Sequence, residues 1–512
     1  MERFLERHQA NVVGVLSGFD RVLFRGTLGS LGYINGMSKF LSSRGVLLKD
    51  FGRFAERLSA PLKARSQQIA AEAGRPWRYL ESPKASKEDI ARRIAERDGV
   101  QEGLICVLSC VEPCQTYAIR RNRQARRLEL VSAQRKCSFL YFYYLDREFG
   151  FMHVRLQTWL PFTIQVCLNG REYLARRMDR AGMDYEQRDN CFTRIEDIAR
   201  AQRMMDDLER RKWSGVLNAW ARRVNPWLTD RDLRLFGYYW TMRQGELATD
   251  VMFRDAASLR AVYPRLTDHA IRHFGSQEVM RFLGRRTNAR FSGEVVSDLR
   301  VRQEGVRVKH WVEENSIKMY DKQGSVLRIE TTINNPGRFK VRRQVTRRGR
   351  RVVAWAALRK GIIDIGRRAE ISRAANGRYL EALAVVGVPS VTHHVLDPVS
   401  RRVTKDGRPY RPLRPITTED SSLFRVVLRG EFAIRGFENR DLREYLFSAA
   451  DSDPATRRRI SGRVTRWLRL LRAHRLIRKV PGTRYYRVTD KGQHVMSTAL
   501  AVRESDVTGQ AA

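Results

Sequence analysis

Hydrophobic positions in the first part of the chain follow strand spacing in some stretches and helix spacing in others. Residues 19–41, "FDRVLFRGTLGSLGYINGMSKFL", predict a strand, a glycine-containing turn and a helix. Amphipathic helices are expected to about residue 97, with a break near "GRPWRYLESP", and "GLICVLSCV" then predicts a buried strand. Residues 1–125 are therefore expected to form an N-terminal α/β region.

The middle of the chain has two blocks of strand-like pattern separated by helical stretches. Four runs between residues 126 and 168 predict strands: "RRLELVSA", "CSFLYFYYLD", "FMHVRLQTWL" and "FTIQVCLNG". Helices are predicted for "REYLARRMDRAG", for 194–224 and for "YYWTMRQGELATDVMF", which would carry Glu246 and Asp250 on one face. With a second strand block near 291–346, residues 126–350 predict a central α+β domain.

The last part of the chain has a turn-rich stretch followed by a helical pattern. Residues 351–416 are expected to be a helical segment and a basic linker, because 388–416 is rich in Pro, Arg and turn residues. Residues 417–505 contain three helical stretches and then the hairpin-like "RKVPGTRYYRVTD", which is the plan of a winged helix-turn-helix domain. The predicted fold class is a multidomain α+β protein with a central mixed or antiparallel sheet domain and a C-terminal winged helix.

In a winged helix the third helix enters the DNA major groove and the hairpin touches the phosphate backbone. The apolar residues of the third stretch are spaced to face a core, at Val464, Trp467, Leu468 and Leu471. The candidate nucleic-acid contacts on its basic side and in the hairpin are Arg457, Arg458, Arg459, Arg463, Arg466 and Arg484. Winged helices also serve as dimerisation modules, so a homodimer is an alternative use of this domain.

Net charge makes nucleic acid the expected partner. The chain carries 97 Lys+Arg against 56 Asp+Glu, a formal charge of +41, and a polyanion would offset this self-repulsion. DNA is preferred and RNA is possible. Six scattered cysteines indicate a reducing compartment, and without an apolar run of about 20 residues no membrane partner is expected. A bacterial cytoplasmic, nucleoid-associated protein is therefore expected.

Residues 315–336, "NSIKMYDKQGSVLRIETTINNP", predict a β-hairpin whose polar face is rich in reactive groups. Side chains alternate along a strand. One face of the first strand therefore carries Ser316, Lys318, Tyr320 and Lys322. The polar face of the second strand carries Arg328, Glu330 and Thr332, and the turn "DKQG" brings the two faces side by side.

These groups suit phosphodiester chemistry. A tyrosine hydroxyl can attack phosphorus, cationic side chains can offset the developing charge, and a carboxylate can hold Mg²⁺ or Mn²⁺. Free tyrosine ionises only near pH 10, and the flanking Lys318 and Lys322 would favour the phenolate. The alternative is that the Tyr, Lys, Arg and Glu side chains are ordinary cross-strand pairs of a half-exposed sheet.

The segments "SIKMYDK" and "LRIE" resemble the catalytic segment of rolling-circle replication initiators, the filamentous-phage gene II proteins and related plasmid initiators. The resemblance implies a tyrosine that nicks one DNA strand, stays on the 5′ phosphate and leaves a 3′ hydroxyl, with a divalent metal present. It implies Tyr320 as the nucleophile, Lys322 as its basic neighbour and Glu330 as the carboxylate on the metal side. "FDRVLFRG" more loosely resembles a first strand with an aspartate, which implies Asp20 as a second carboxylate.

A second group of polar side chains lies in "FMHVRLQTW", where His153, Arg155 and Gln157 share one strand face. Strands with two histidines around a hydrophobic residue hold the metal in the HUH nucleases, and this segment resembles them except that an arginine takes the second position. His153 is therefore a candidate metal ligand. Arg155 and Gln157 are candidate nucleic-acid contacts.

The preferred hypothesis is a DNA strand-nicking and strand-transfer protein of a mobile element or replicon. In it the central domain processes nucleic acid and the winged helix finds the site. The chain as a whole also resembles a large bacterial family of which some members are labelled MarR-like regulators for their terminal winged helix; that label describes one domain and does not define an activity. The alternative is a binding protein without chemistry, either a transcriptional regulator or a structured-RNA partner, although the roughly 400 residues before the winged helix exceed what a regulator needs.

Overall fold

A computed structural model describes residues 1–230, 237–285, 294–302, 305–347, 349–386, 392–447 and 453–505. The fold is of the mixed α and β kind. Eleven strands belong to a large mixed sheet, and the remaining strands form four two-stranded hairpin sheets. The expected combination of helices with a mixed sheet is confirmed at this level. No helix in the described ranges is long and apolar enough to cross a membrane.

The helices are α1 Glu2–His8, α2 Ile34–Ser43, α3 Phe51–Glu72, α4 Lys87–Arg97, α5 Gly170–Arg180, α6 Ile198–Arg210, α7 Trp213–Val224, α8 Ala256–His273, α9 Ser276–Phe282, α10 Ile365–Leu383, α11 Thr392–Leu396, α12 Thr418–Val427, α13 Gly430–Arg435, α14 Asn439–Leu446, α15 Pro454–Ala473 and α16 Asp490–Glu504. The strands are β1 Val12–Leu28, β2 Trp77–Leu80, β3 Gly103–Asn122, β4 Arg127–Asp146, β5 Gly150–Gln157, β6 Ile164–Asn169, β7 Tyr185–Arg188, β8 Cys191–Ile195, β9 Tyr238–Phe253, β10 Val295–Arg302, β11 Gly305–Val312, β12 Asn315–Lys322, β13 Val326–Ile333, β14 Lys340–Arg347, β15 Arg350–Ala357, β16 Val403–Lys405, β17 Arg408–Tyr410, β18 Ile477–Lys479 and β19 Tyr486–Val488.

The chain divides into two compact units. Unit 1 contains Met1–Gly14, Asp250–Glu330 and Ala374–Ala512, and unit 2 contains Val15–Thr249 and Thr331–Arg373. The chain passes from one unit to the other within β1, β9, β13 and α10. Each unit is thus assembled from separated stretches of sequence, whereas the sequence predicts four consecutive segments.

Unit 2 contains the strands in the order β9, β1, β6, β5, β4, β3 and β2. The pairs from β1 to β3 are antiparallel, and β2 runs parallel to β3. β3 and β4 pair along a long hairpin from Gly103↔Leu145 to Asn122↔Arg127, and α3 and α4 pack against β3. The sequence boundary expected at residue 125 falls in the turn of this hairpin, so the strands on its two sides pair with each other.

Residues 238–253 form strand β9 and not the expected helix. In its second half every residue from Leu247 to Phe253 is buried. A strand buried on both faces lacks the alternation that distinguishes it from a helix. Glu246 and Asp250 still share a face, because a separation of four residues returns to the same side of a strand as well.

Unit 1 contains β10, β11, β12 and β13 as neighbours, followed by the Asp250–Phe253 end of β9. β10, β11 and β12 are antiparallel, and α8 and α9 pack against β11. Val308, Val312, Ile317 and Met319 are fully buried. These alternate apolar positions of β11 and β12 leave the other face of both strands to polar side chains.

Unit 1 ends with the segment predicted to be a winged helix. The three predicted helical stretches are α12, α14 and α15, the predicted hairpin is β18–β19, and α13 and α16 are additional helices. Of the predicted core residues, Val464, Leu468 and Leu471 are buried and Trp467 packs against them.

The segment 388–416, expected to be a linker, is folded where the structure describes it. It contains α11 and the hairpin β16–β17, and residues 387–391 lie outside the described residues. Val399 and Leu413 are almost fully buried in the same core as Phe424. A few apolar residues between the prolines and arginines are enough to hold this segment to the core.

Candidate functional site

The hairpin predicted from residues 315–336 is present as β12 and β13. Its turn, residues 323–325, has two consecutive residues with positive φ, Gln323 at 54° and Gly324 at 75°, and glycine adopts this conformation without strain. Lys318 and Tyr320 are half-buried on the face opposite to Ile317 and Met319. The predicted hairpin and the predicted face of Tyr320 are confirmed.

Tyr320, Lys318 and Glu330 form a hydrogen-bonded group on this face. The Tyr320 hydroxyl donates to Oε2 of Glu330 at 2.6 Å, and Nζ of Lys318 lies 2.5 Å from Oε1 of the same carboxylate. Glu330 is only 2% exposed, whereas the side chain of Lys318 is 18% exposed. The carboxylate therefore lies below the surface, with an ammonium and a phenol above it.

The charge on Glu330 depends on these two neighbours. Burial by itself would raise the pKa of the Glu330 carboxyl, but the Lys318 ammonium and the hydrogen bonds from Lys318 and Tyr320 lower it below its ordinary value. Glu330 is thus an anion at neutral pH. It accepts hydrogen bonds and is a weak base toward the phenol.

β11 adds two cations that the sequence analysis missed. Arg307 is the direct cross-strand partner of Tyr320, and Lys309 is that of Lys318. Burial, with Lys318 and Arg307 nearby, lowers the pKa of Lys309, and Arg307 lies 3.6 Å from Asp298. The alternation in "VRVKHWV" was a usable signal, but only the antiparallel register of β11 places these cations beside Tyr320.

Arg328 is a buried anchor. Its side chain is 0% exposed, and it donates from Nε to Oδ1 of Asp250 at 2.6 Å and from a terminal nitrogen to Oδ2 at 2.9 Å. A bidentate pair of this kind fixes both side chains in one geometry. Lys322, the remaining predicted catalytic residue, is half-buried at the end of β12.

Unit 2 contains two carboxylates suited to a divalent ion. Asp20 on β1 and Glu246 on β9 have carboxylate oxygens within 4.8 Å of one another. Asp20 is 4% exposed and accepts from Nδ2 of Asn190 at 2.9 and 3.1 Å. Oxygen ligands of Mg²⁺ or Ca²⁺ lie about 2.0 to 2.6 Å from the ion, so this separation is compatible with one ion bound by both side chains. The sequence predicts Asp20 as a metal-side carboxylate, and it places Glu246 with Asp250 on one face of an expected helix, as either a metal pair or a helix-surface pair.

His153 lies on β5 of unit 2 between aromatic rings. Its ring centroid is 5.0 Å from that of Tyr143. Desolvation, with Arg21 and Arg155 nearby, lowers the pKa of His153 to about 3, so its imidazole is neutral at pH 7. Among the described residues His153 belongs to no group of three side chains that could hold a metal. Its metal role stays a prediction.

Arg155 and Gln157 are held by neighbouring groups. Arg155 lies 2.5 Å from Oε2 of Glu112, donates to the Tyr141 hydroxyl at 2.8 Å and stacks 3.7 Å from the centroid of the Phe139 ring. Gln157 is 3% exposed and donates to backbone carbonyls, one of them that of Trp159 at 3.0 Å. Their contact with nucleic acid stays a prediction, and it would need the Arg155 network to open.

The predicted basic residues of α15 are exposed. The helix begins at Pro454, and the Asp453 side chain caps it by accepting from the backbone of Ala455 and Thr456. The exposed arginines are Arg457, Arg458, Arg459, Arg463 and Arg466, together with Arg484 in the turn of the β18–β19 hairpin. The Arg463 guanidinium stacks 4.8 Å from the centroid of the Trp467 ring.

No protein-family model, no curated protein and no solved structure matches this chain.

Proposed function

We propose that this chain is a nucleic-acid-binding protein that nicks and transfers a DNA strand, with Tyr320 as the nucleophile and a divalent metal ion as a cofactor. The observation that carries the proposal is the Tyr320 hydroxyl held 2.6 Å from a buried carboxylate, on a face with Lys318, Lys309 and Arg307. A phosphodiester that reaches this face would meet a nucleophile and several cations. The resemblance of residues 316–330 to rolling-circle initiators supports the same chemistry.

In the proposed step the Tyr320 oxygen forms a bond to phosphorus while the bond from phosphorus to the 3′ oxygen breaks. The DNA 5′ phosphate is then esterified to the tyrosine, and the 3′ oxygen leaves as a hydroxyl after gaining a proton. Lys318 and Lys309 offset the charge on the phosphoryl oxygens. Glu330 orients the phenol by accepting its hydrogen bond, and the phenolic proton passes to this carboxylate as the tyrosine oxygen bonds to phosphorus. A second strand end that attacks the phosphotyrosine would complete the transfer.

Mg²⁺ or Mn²⁺ would polarise the phosphate as a Lewis acid. The proposed carboxylate ligand beside Tyr320 is Glu330, as the resemblance implies, and Asp20 and Glu246 are a separate candidate pair in unit 2. Carboxylate oxygens are the ligands that both ions prefer.

The targeting part of the proposal is a C-terminal winged helix. Helices α12, α14 and α15 followed by the β18–β19 hairpin support it, as does the row of exposed arginines at the start of α15. Duplex DNA near the cleavage site is the proposed partner of this part.

The second candidate function is that of a nucleic-acid-binding protein without catalytic activity. Glu330 is paired with Lys318, and Arg328 is paired with Asp250, and pairs of this kind also occur in a purely structural sheet. A transcriptional regulator or a structured-RNA partner would need the charge and the C-terminal domain but not the hydroxyl of Tyr320.

The test uses the full chain, end-labelled single-stranded DNA from the flanks of its gene, and Mg²⁺ or Mn²⁺, on a denaturing gel. We expect a protein-DNA adduct that resists denaturation and disappears in Tyr320→Phe. Tyr239→Phe is the matched control, because Tyr239 is 61% exposed in unit 2 and should leave the adduct unchanged. Binding without an adduct under either metal would favour the second candidate.

A further inference from the structure

A separate β-ribbon in unit 2 has a composition unlike that of the rest of the chain. Strands β14 and β15 pair in one antiparallel register from Lys340↔Ala357 to Arg347↔Arg350. Residues 338–360 contain ten Lys or Arg residues and no Asp or Glu. The ribbon therefore carries a strong positive charge that no acidic residue of its own segment offsets.

The two faces of the ribbon differ. On one face Val341 packs against a small core formed by Ile333, Phe339 and Leu358, and Arg343 lies 3.3 Å from Asp364. These contacts fix the ribbon to its own unit. They also determine which face is left to solvent, because side chains alternate along each strand.

The outer face of the ribbon is defined by Lys340, Arg342, Gln344, Thr346, Arg351, Val353 and Trp355, all of which are exposed. Trp355 is 58% exposed and lies directly opposite Arg342. The Arg367 guanidinium lies 6.0 Å from the centroid of its ring. A large aromatic ring is costly to leave in water, and an exposed aromatic ring with arginines near it is a surface on which an unpaired base can stack.

We propose that the outer face of the ribbon binds single-stranded nucleic acid, with one base stacked on Trp355 and phosphates on Lys340, Arg342 and Arg351. Charge complementarity selects a polyanion, and the central tryptophan selects unpaired bases. A duplex presents base edges and phosphates but no open base face. The proposal deepens the proposed function and rests on its nucleic-acid part, but it does not depend on the chemistry of Tyr320.

The test measures binding of the full chain to fluorescein-labelled oligonucleotides of about 16 nucleotides, the upper end of typical single-strand site sizes. Single-stranded DNA, single-stranded RNA and duplex DNA are compared by fluorescence anisotropy at several salt concentrations without added metal. The variants are Trp355→Ala, Trp355→Phe and Arg342→Gln. Arg53→Gln is the control for charge, because Arg53 on α3 is 87% exposed.

We expect Trp355→Ala to weaken single-strand binding about tenfold, as loss of one stacked base would, and Trp355→Phe to restore most of it. Arg342→Gln should lower the slope of log K against log salt by about 0.7, the value for one phosphate contact on a single strand. Arg53→Gln should change neither quantity. Trp355 and Arg342 are exposed, so circular dichroism and thermal unfolding should match the wild type.

The proposal is overturned if the ribbon variants bind like the wild type, or if Arg53→Gln weakens binding as much as Arg342→Gln. The proposal is also overturned if the protein binds duplex DNA more tightly than single strands and Trp355→Ala lowers both affinities equally. In that case the ribbon would be a duplex-binding surface. A loss of affinity in Trp355→Ala that is confined to single-stranded DNA or to single-stranded RNA supports the proposal and identifies which of the two the ribbon prefers. Absence of a Tyr320 adduct together with Trp355-dependent binding would contradict the proposed nicking chemistry alone.

Discussion

The hydroxyl of Tyr320 donates to Oε2 of Glu330, while Lys318 holds the other oxygen of the same carboxylate. One buried anion thus positions a phenol and an ammonium on the same side of a sheet. Arg307 and Lys309 on the neighbouring strand extend the positive charge beside them.

Glu330→Gln should destabilise unit 1 and abolish the proposed adduct. The substitution removes the negative charge to which Lys318 and Tyr320 bind. We expect a loss of about 1.5 to 3 kcal/mol in the free energy of unfolding, which is the range for a hydrogen bond to a charged group. Urea unfolding measures it. Tyr320→Phe, the matched control, should cost less because it leaves the Lys318 pair intact, and equal losses in the two variants would contradict this account.

The stabilisation from Glu330 should disappear in acid. The pKa of Glu330 is lowered in the folded state, so between this value and the ordinary carboxyl pKa of about 4.3 the unfolded chain binds more protons. The contribution is therefore fully present above the unfolded pKa and is lost as the pH falls through the folded pKa. The difference in unfolding free energy between wild type and Glu330→Gln should be constant from neutral pH to about pH 5 and shrink below pH 4. A difference in unfolding free energy that is unchanged at pH 3 would contradict a lowered pKa of Glu330 in the folded state.

Arg328 and Asp250 should be strongly coupled in a double-mutant cycle. Removing one partner of a buried ion pair costs about 3 to 5 kcal/mol. We expect losses of that size for Arg328→Met and for Asp250→Leu, and a smaller loss for the double variant than the sum of the two. Chemical unfolding of the four proteins gives the coupling energy. Additive losses would show that each side chain acts through other contacts.

The hairpin was predictable because alternation, turn residues and chemistry all lie within residues 315–336. The cations Arg307 and Lys309 were not, since their proximity to Tyr320 depends on the register of β11. β9 was mistaken for a helix because its second half is buried on both faces and its residues do not alternate. The ribbon outer face was missed because the second strand block was expected to end near residue 346. The position of Trp355 opposite Arg342 also depends on the register of β14 and β15, which the sequence pattern does not give.

A metal ion between Asp20 and Glu246 should stabilise the protein against heat. Binding to the folded state alone adds about 2.7 kcal/mol at a free metal concentration of about 100 times Kd, so Mn²⁺ should raise the melting temperature of the wild type. Asp20→Asn and Glu246→Gln should each lose most of this rise, because each removes one charged ligand. Asp184→Asn is the control, since Asp184 is 67% exposed in unit 2. A rise retained in both variants would place the metal elsewhere.

The arginines at the start of α15 should contribute to duplex binding through phosphates. Arg458 and Arg459 are exposed in the first turns of that helix, where a groove-reading helix of a winged helix meets DNA. Arg458→Gln and Arg459→Gln should each lower the slope of log K against log salt by about 0.9, the value for one phosphate contact on B-form DNA, without changing the melting temperature.

Arg440→Gln on α14 is the matched control, because Arg440 is 72% exposed and paired with Glu444. If the three variants lower the slope equally, net charge alone explains binding and α15 has no special role. If the α15 variants alone do so, this helix is the duplex-binding surface.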